Sequence, residues 1–184
     1  MGDATRFAGE RPPVLSTARL TLRPFGEADI PAIVEICGDI EVSRRLSRVP
    51  HPYSEADARY FLDSVATREL VWAVILRPSS MVVGCVGLAP TDDPHAAELG
   101  YYMRRSHWGQ GLATEAAAAV VRYGFGHLAL GHLVSGHYAD NPASGRVLRK
   151  LGFVEVGRDE RFSLSLGQTA PSIAMRLEAP SRIT

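Results

Sequence analysis

The chain of 184 residues contains one lysine, Lys150, two cysteines, and equal numbers of basic and acidic residues. A Walker-type phosphate loop needs a lysine directly after its glycines, so this class of nucleotide site is excluded. A chain without net charge lacks the basic footprint of nucleic-acid binding, and we expect no nucleic-acid partner. Cys37 and Cys85 lie far apart in apolar patterns, which predicts buried thiols in a reducing compartment.

Long apolar runs and metal-ligand spacings are also missing. No run approaches the ~20 residues of a membrane span, and the N-terminus has no signal-peptide core, so we expect a cytoplasmic protein without a membrane partner. His132 and His137 are five residues apart, on opposite faces of a strand, and no other spacing predicts a metal site. The hydrophobic content of 46% is sufficient for one ordinary domain with a core of its own.

Residues 1–16 are polar, with glycine and two prolines, and predict a flexible N-terminal arm before a single domain at residues 17–184. Short turns separate three central strands, which favours an antiparallel meander. The predicted class is α/β (α+β), with one mixed sheet flanked by helices. The predicted strands are 19–23, 71–76, 81–88, 97–103, 132–138 and two around 153–155 and 172–178, and the predicted helices are 27–37 (capped by Asp29), 54–66 (opened by Ser54), 112–125 and 143–151.

A strand, a glycine-paired loop and an alanine-rich helix follow one another between Leu99 and Ala116. Gly109 and Gly111 remove side chains from the loop, and the helix that starts at Leu112 leaves its first N–H groups without intrahelical partners. These donors and the positive end of the helix dipole suit a pyrophosphate, although glycines also serve as plain turn residues. A Rossmann fingerprint is excluded, because Thr114 occupies the place of its third glycine and the motif lies mid-chain.

Three blocks carry a resemblance to a known family. W-G-Q-G-L-A, at 108–113, resembles the Q/R-x-x-G-x-G/A signature of the GNAT acyl-CoA N-acyltransferases, with Trp108 where many members have Gln or Arg. D-N-P-A-S-G-R-V-L-R-K-L-G-F, at 140–153, and T-A-R-L-T-L-R-P-F-G-E-A-D, at 17–29, are similar to the branch that acetylates ribosomal-protein N-termini. Together the blocks extend the resemblance over roughly residues 17–177.

The resemblance implies a mostly antiparallel sheet of six to seven strands with a splayed central strand pair, and acetyl-CoA as co-substrate. The loop N–H groups would bind the pyrophosphate, the backbone after the splay would pair with the pantetheine arm and aim an N–H at the thioester carbonyl, and Asn141 would bind the pantetheine amide. The implied cofactor-binding residues are Tyr101, Tyr102, Met103, Trp108, Gly109, Gln110, Gly111, Leu112, Ala113, Thr114, Asn141 and Ser144.

Direct transfer of an acyl group to an amine needs a base, because only the neutral amine attacks. By resemblance, Glu98 faces the cleft, where its carboxylate could order a water that deprotonates the amine. His137 is an alternative base, since imidazole titrates near neutral pH, and a water wire is a third. The base therefore stays open among these candidates, with Glu98 preferred.

The departing thiolate needs a proton donor, and here the sequence departs from the family. Many members have a tyrosine seven residues after the equivalent of Asn141, where this chain has Leu148. Ser144, on the first turn of the late helix, could reach the coenzyme sulfur. Tyr138 and Tyr102 are alternative donors. An Asn-Pro followed by Ser is also ordinary helix-start chemistry, so spacing does not settle the role.

The sequence gives the least information about the acceptor. We expect a primary amine, first of all a protein N-terminal amine; alternatives are a small-molecule or antibiotic acetyltransferase and a non-catalytic acyl-CoA sensor, which would lose Glu98 or Ser144. Residues 40–52 and 160–170 would select the acceptor, and R-R-L-S-R at 44–48 indicates negative or neutral flanks. The last strands could pair across a homodimer.

Overall fold

Eight strands form one sheet in the computed structural model, which describes residues 6–180. Only β5 and β6 pair in parallel, so the predicted mixed, mostly antiparallel sheet is confirmed with one strand more than expected. The order is β1-β2-β3-β4-β5-β6-β8-β7. The strands are β1 (Leu15–Ser16), β2 (Leu20–Pro24), β3 (Leu70–Leu76), β4 (Met81–Pro90), β5 (Ala96–Met103), β6 (His132–Tyr138), β7 (Val154–Ser163) and β8 (Gln168–Glu178).

Helices cover the sheet on both sides. Helices α4 and α5 contribute apolar side chains such as Leu112 and Leu148 to the main core, while Ile33 and Ala58 from the earlier helices belong to a second apolar layer. Alternate residues of a strand face opposite sides, so β5 contributes to both layers. The helices are α1 (Ile30–Gly38), α2 (Ile40–Ser43), α3 (Glu55–Tyr60), α4 (Leu112–Gly126) and α5 (Pro142–Lys150).

Two predicted helix starts have different outcomes. Ser54 caps α3 as expected, since its hydroxyl accepts a hydrogen bond from the Asp57 amide. Asp29 takes the predicted N-cap position of α1, but its side chain does not cap the helix, because its carboxylate accepts from the Gly26 amide and from both terminal nitrogens of Arg23, at 2.7 and 2.8 Å. A short 3-10 turn at Glu27–Asp29 therefore precedes α1.

The described part of the predicted N-terminal arm, residues 6–16, packs against the domain. Phe7 is 1% exposed within the main core, and Arg6 donates to the Leu128 carbonyl. The indole N–H of Trp72 donates to the Pro13 carbonyl at 2.7 Å, so a buried polar group depends on this segment. The boundary between an arm and a domain stays a prediction, but these residues carry tertiary contacts.

Phe7→Ala is expected to lower the free energy of unfolding by about 3–5 kcal/mol, because it removes a fully buried aromatic ring from the core. Val14→Ala is the control, since that side chain is 63% exposed in the same segment. Urea unfolding measures both variants. A loss below about 1 kcal/mol for Phe7→Ala would contradict the packing of this segment.

The strand predicted around residues 153–155 continues to Ser163 as β7, and pairs with β8 along its length. Its central residues, Gly157–Arg161, are mostly charged and exposed at the edge of the sheet, so they show no apolar alternation. An edge strand of this kind leaves little signal in the sequence. Within residues 6–180, no helix is both long and apolar enough to cross a membrane.

Candidate active site

The central strands β5 and β6 open into a fork. They pair only from Ala96 to Glu98, and then separate, so the predicted splay is confirmed. Just past the last pair, the Ser135 hydroxyl donates to the Leu99 carbonyl at 2.8 Å. The indole N–H of Trp108 donates to the Met103 carbonyl, also at 2.8 Å. Two side chains thus donate hydrogen bonds to the backbone carbonyls at the two ends of the opened part of β5.

Strand alternation identifies the backbone that faces this cleft. The carbonyls of Leu99 and Met103 point into it, so the N–H and C=O of Tyr101, midway between them, do so as well. These groups are placed to pair with an extended ligand. Tyr102 differs, because its carbonyl lies against Gly84 of β4, where a Cβ would clash with it.

The Tyr102 side chain also points away from the cleft. It packs in the layer of α1 and α3. Burial raises the pKa of its phenol, and the nearby Cys37 and Cys85 thiols raise that pKa further. Cys37 and Cys85 are both free and buried. The structure therefore does not bring Tyr102 into the cleft, either through its backbone or as a proton donor.

The glycine loop leads directly into α4. Gly109 and Gly111 have φ values of +75° and +76°, a left-handed conformation that favours glycine. Glu115 donates the first amide hydrogen bond of the helix, to the Gly111 carbonyl, and no side chain caps the start. Within residues 6–180, the N–H groups of the predicted Leu112, Ala113 and Thr114 have no protein acceptor. Free N–H groups at the positive end of a helix dipole are the arrangement that suits an anion.

Arg19 is a cation beside this loop that the sequence interpretation missed. Its guanidinium donates to the Gln110 carbonyl at 3.0 Å and to Glu115 at 2.7 Å. Thr17 also donates to Glu115, at 2.6 Å. The T-A-R and T-E-A segments are both visible in the sequence, but nothing in it indicates that they meet across 96 residues.

Glu115→Gln is expected to destabilise the protein at neutral pH, with a difference that shrinks as the pH falls below about 4, the pKa of an unperturbed glutamate. Burial opposes ionisation of Glu115, but the hydrogen bonds from Thr17 and Arg19 and the Arg19 charge outweigh it and lower its pKa. Its contribution is present above the unfolded-state pKa and lost as the pH falls through the lower folded-state pKa. Urea unfolding of both proteins across this range tests it, and a pH-independent difference would contradict it.

The side chains of Trp108 and Gln110 hydrogen-bond to backbone carbonyls that precede the loop. The Trp108 ring is 37% exposed and lies under the Arg45 guanidinium, 5.2 Å from its centroid. The Gln110 side-chain amide donates to the Ser106 carbonyl at 3.3 Å. Trp108 therefore connects the loop to β5 and to the segment after α2.

Glu98 lies at the vertex of the fork, as the last residue of the parallel register. Its side chain is 42% exposed, and it accepts a hydrogen bond from the Arg161 guanidinium at 2.9 Å. Arg161 comes from β7 and passes over Gly136 of β6, where a Cβ would lie 3.1 Å from its nitrogen. The sequence did not indicate Arg161, because the partners lie 63 residues apart.

The alternative base and one alternative donor both contact the backbone. His137 is buried; its Nδ1 lies 2.8 Å from the Tyr138 carbonyl, and its Nε2 is packed against Gly145 without a partner in residues 6–180. The Tyr138 hydroxyl donates to the Phe162 carbonyl. The Tyr138 hydroxyl is thus engaged by β7, and one nitrogen of His137 is engaged by the backbone.

Asn141 and Ser144 open α5 beside Tyr101. The Asn141 side-chain oxygen accepts from the Ser144 amide at 3.3 Å, which is the cap that their spacing indicated. The Ser144 hydroxyl lies 2.8 Å from the Tyr101 hydroxyl. The Tyr101 hydroxyl also donates to the Ser144 carbonyl at 3.1 Å, and burial raises the pKa of Tyr101 to about 12, so the phenol stays protonated. Leu148 is fully buried in the core.

An opened central strand pair with an uncapped, glycine-led helix at its wide end is the arrangement that the resemblance to the GNAT acyltransferases implied. Residues 19–154 match the family described as "Acetyltransferase (GNAT) domain". The chain therefore belongs to the GNAT acetyltransferase family and is an acyltransferase enzyme. Among the residues that the structure describes, no cluster of His, Cys, Asp or Glu could hold a metal ion.

Relatives agree on the family and differ in acceptor. The uncharacterized N-acetyltransferase YoaA of Bacillus subtilis (strain 168) is 32% identical over 151 residues, which cover 79% of this chain and 85% of YoaA. Three solved structures share the fold: a GNAT acetyltransferase from Bacillus anthracis (TM-score 0.80, 23% identity, 91% and 99% of the two chains), a ribosomal-protein-S5-alanine acetyltransferase from Vibrio fischeri (0.74, 16%, 92% and 98%), and a spermidine N-acetyltransferase from Vibrio cholerae in complex with CoA and spermine (0.76, 20%, 89% and 97%).

Proposed function

We propose that this enzyme transfers the acetyl group of acetyl-CoA directly to a primary amine, and that the amine is a protein N-terminus. One observation carries the proposal: β5 brings the carboxylate of Glu98 and the cleft-facing backbone of Tyr101 together on the strand that leads into the glycine loop. A cofactor bound along this strand would meet an amine held at Glu98. Transfer would then need no covalent enzyme intermediate.

The residues of the wide end fit acetyl-CoA. The loop from Gly109 to Thr114 presents free N–H groups at a helix start, which suits the pyrophosphate, and Arg19 adds a positive charge. The N–H and C=O of Tyr101 would pair with the pantetheine arm. The free amide nitrogen of Asn141 would bind the same arm, since its oxygen caps α5. When bound, acetyl-CoA supplies the activated thioester carbon.

The chain's own groups would move the protons. Glu98 would accept the amine proton through an ordered water, and the Tyr101 N–H would donate a hydrogen bond to the carbonyl oxygen. A carbon–nitrogen bond forms as the carbon–sulfur bond breaks. Ser144 would protonate the departing sulfur and regain a proton from solvent, with the Tyr101 hydroxyl 2.8 Å away as the relay, while Glu98 returns the amine proton to solvent. The products are the acetylated amine and the free thiol of CoA.

An acceptor panel tests the choice of amine. Peptides with a free N-terminus, N-terminally blocked peptides with an internal lysine, and spermidine are incubated with acetyl-CoA, and thiol release and product mass are recorded. We expect acetylation of the α-amine alone. Preferred acetylation of spermidine would instead assign the small-molecule alternative. Tight acetyl-CoA binding without transfer to any amine would assign the acyl-CoA sensor, although Glu98 and Ser144 are both present for catalysis.

Location and assembly complete the proposal. A cytoplasmic location is supported by two free, buried cysteines, which is the common state of thiols in a reducing compartment.

A homodimer through the last strands stays a prediction. It is supported by the position of β7 at the sheet edge and by the exposed Val154 and Val156 on it. Light scattering at two concentrations would measure the mass of the assembly.

A further inference from the structure

Arg161 and Glu98 form an ion pair at the open vertex of the fork. The distance from the guanidinium nitrogen to the carboxylate oxygen is 2.9 Å, and both side chains are partly exposed. Gly136 leaves room for the guanidinium, since a Cβ there would lie 3.1 Å from one nitrogen and 3.2 Å from the central carbon. The chain thus keeps a cation beside its candidate base.

A second ion pair lies close to the first. Arg48, in the segment between α2 and α3, binds both oxygens of Glu69 at 2.6 and 3.2 Å. The hydrogen bond to Glu69 raises the pKa of Arg48, and the nearby charge of Glu98 raises it further. The Leu164 amide donates to the Ser47 carbonyl, so the β7–β8 turn is joined to the segment that carries Arg48.

The charges within these two ion pairs balance each other. Glu69 and Glu98 each have a guanidinium partner, so a polyamine would bring several positive charges to carboxylates that are already compensated. A partner with one positive and one negative group can exchange with the internal pair without leaving a charge unpaired. Guanidinium also matches the geometry of carboxylate, which it binds through two parallel hydrogen bonds.

Resting on the function proposed above, we infer that the acceptor carries a carboxylate next to its reacting amine. Arg161 binds this carboxylate, and Glu98, released from Arg161, faces the amine. Two sources share the chemistry: a peptide N-terminus that begins with an acidic residue, which agrees with the proposed acceptor, and a free amino acid with its α-carboxylate, which would assign the small-molecule alternative. Arg161 is then a specificity-determining residue that also positions Glu98.

Matched acceptors separate this role from a structural one. The first arm compares a peptide that begins with aspartate with the same peptide beginning with asparagine; the second compares alanine with alaninamide. We expect kcat/KM to favour the carboxylate by about 10- to 100-fold in one arm, and that arm identifies the source. In Arg161→Gln the ratio falls to near one, whereas loss of Glu98 positioning alone would slow both members equally.

Two further variants complete the test. Arg158→Gln removes a 77% exposed arginine from the same strand and is expected to keep the wild-type ratio, and Arg161→Lys is expected to give an intermediate one. Ratios near one in both arms of the wild type, or a ratio unchanged in Arg161→Gln, overturn the inference while transfer to α-amines still stands. Transfer to no amine overturns the proposed function and this inference together.

Discussion

Glu98→Gln is expected to lower kcat for acetyl transfer by about 100- to 10,000-fold while the affinity for acetyl-CoA stays unchanged. Glutamine keeps the size of the side chain and an oxygen that accepts the Arg161 hydrogen bond, 2.9 Å long in the wild type. It loses the charge that draws a proton from the attacking amine. Steady-state kinetics with a saturating amine, and calorimetry with acetyl-CoA, separate the two effects.

Glu10→Gln is the control for this substitution, because Glu10 is exposed and lies outside the cleft. Thermal unfolding of both variants shows whether the loss of the ion pair disturbs the fold. An exposed pair contributes about 1 kcal/mol or less, so a small shift in Tm is expected. A kcat within about threefold of the wild type would remove Glu98 from the base role and leave a water wire to act alone.

Gly111→Glu is expected to abolish detectable binding of acetyl-CoA. The substitution places a carboxylate where the loop and the start of α4 present their free N–H groups. The negative side chain competes with the pyrophosphate for these donors and repels it. Calorimetric titration of the two proteins with acetyl-CoA measures the change.

Gly9→Glu is a closely matched control. Gly9 has φ +78°, against +76° at Gly111, so both variants carry the same backbone strain, of about 1–2 kcal/mol. No atom lies within 4 Å of a Cβ at Gly9, and the site is outside the cleft. Gly111→Ala separates strain from charge, because its Cβ would make an ordinary 3.6 Å contact with Arg19. Binding retained by Gly111→Glu would remove the loop from the cofactor site.

Local patterns predicted much of the fold. β6 begins and ends at the predicted residues, because Gly131 precedes it and the turn residues Asp140 to Pro142 follow it closely. The length of β7 could not be predicted, because its charged central residues lie on an edge strand and its register depends on β8. The packing of Phe7 was hidden for another reason: its core contacts come from residues distant in the sequence.

In the candidate site, too, some features could be predicted from the sequence and others could not. The glycine loop, the cap of α5 and the position of Glu98 follow from short segments, whose residue types and spacing are visible in the sequence. Arg19 and Arg161 were not predicted, since each meets its carboxylate across a long separation in the chain. The assignment of Tyr102 to the cleft failed because one register position decides which neighbour its backbone faces.

The central claim is direct transfer between two substrates held on β5, and initial velocities with both substrates varied test it most directly. We predict intersecting double-reciprocal lines, and an unchanged intact mass of the protein after incubation with acetyl-CoA alone. Both results follow if the amine and the thioester must be bound together before any bond changes. Parallel lines and an acetylated protein would contradict the account, because they are the signature of a covalent acetyl-enzyme.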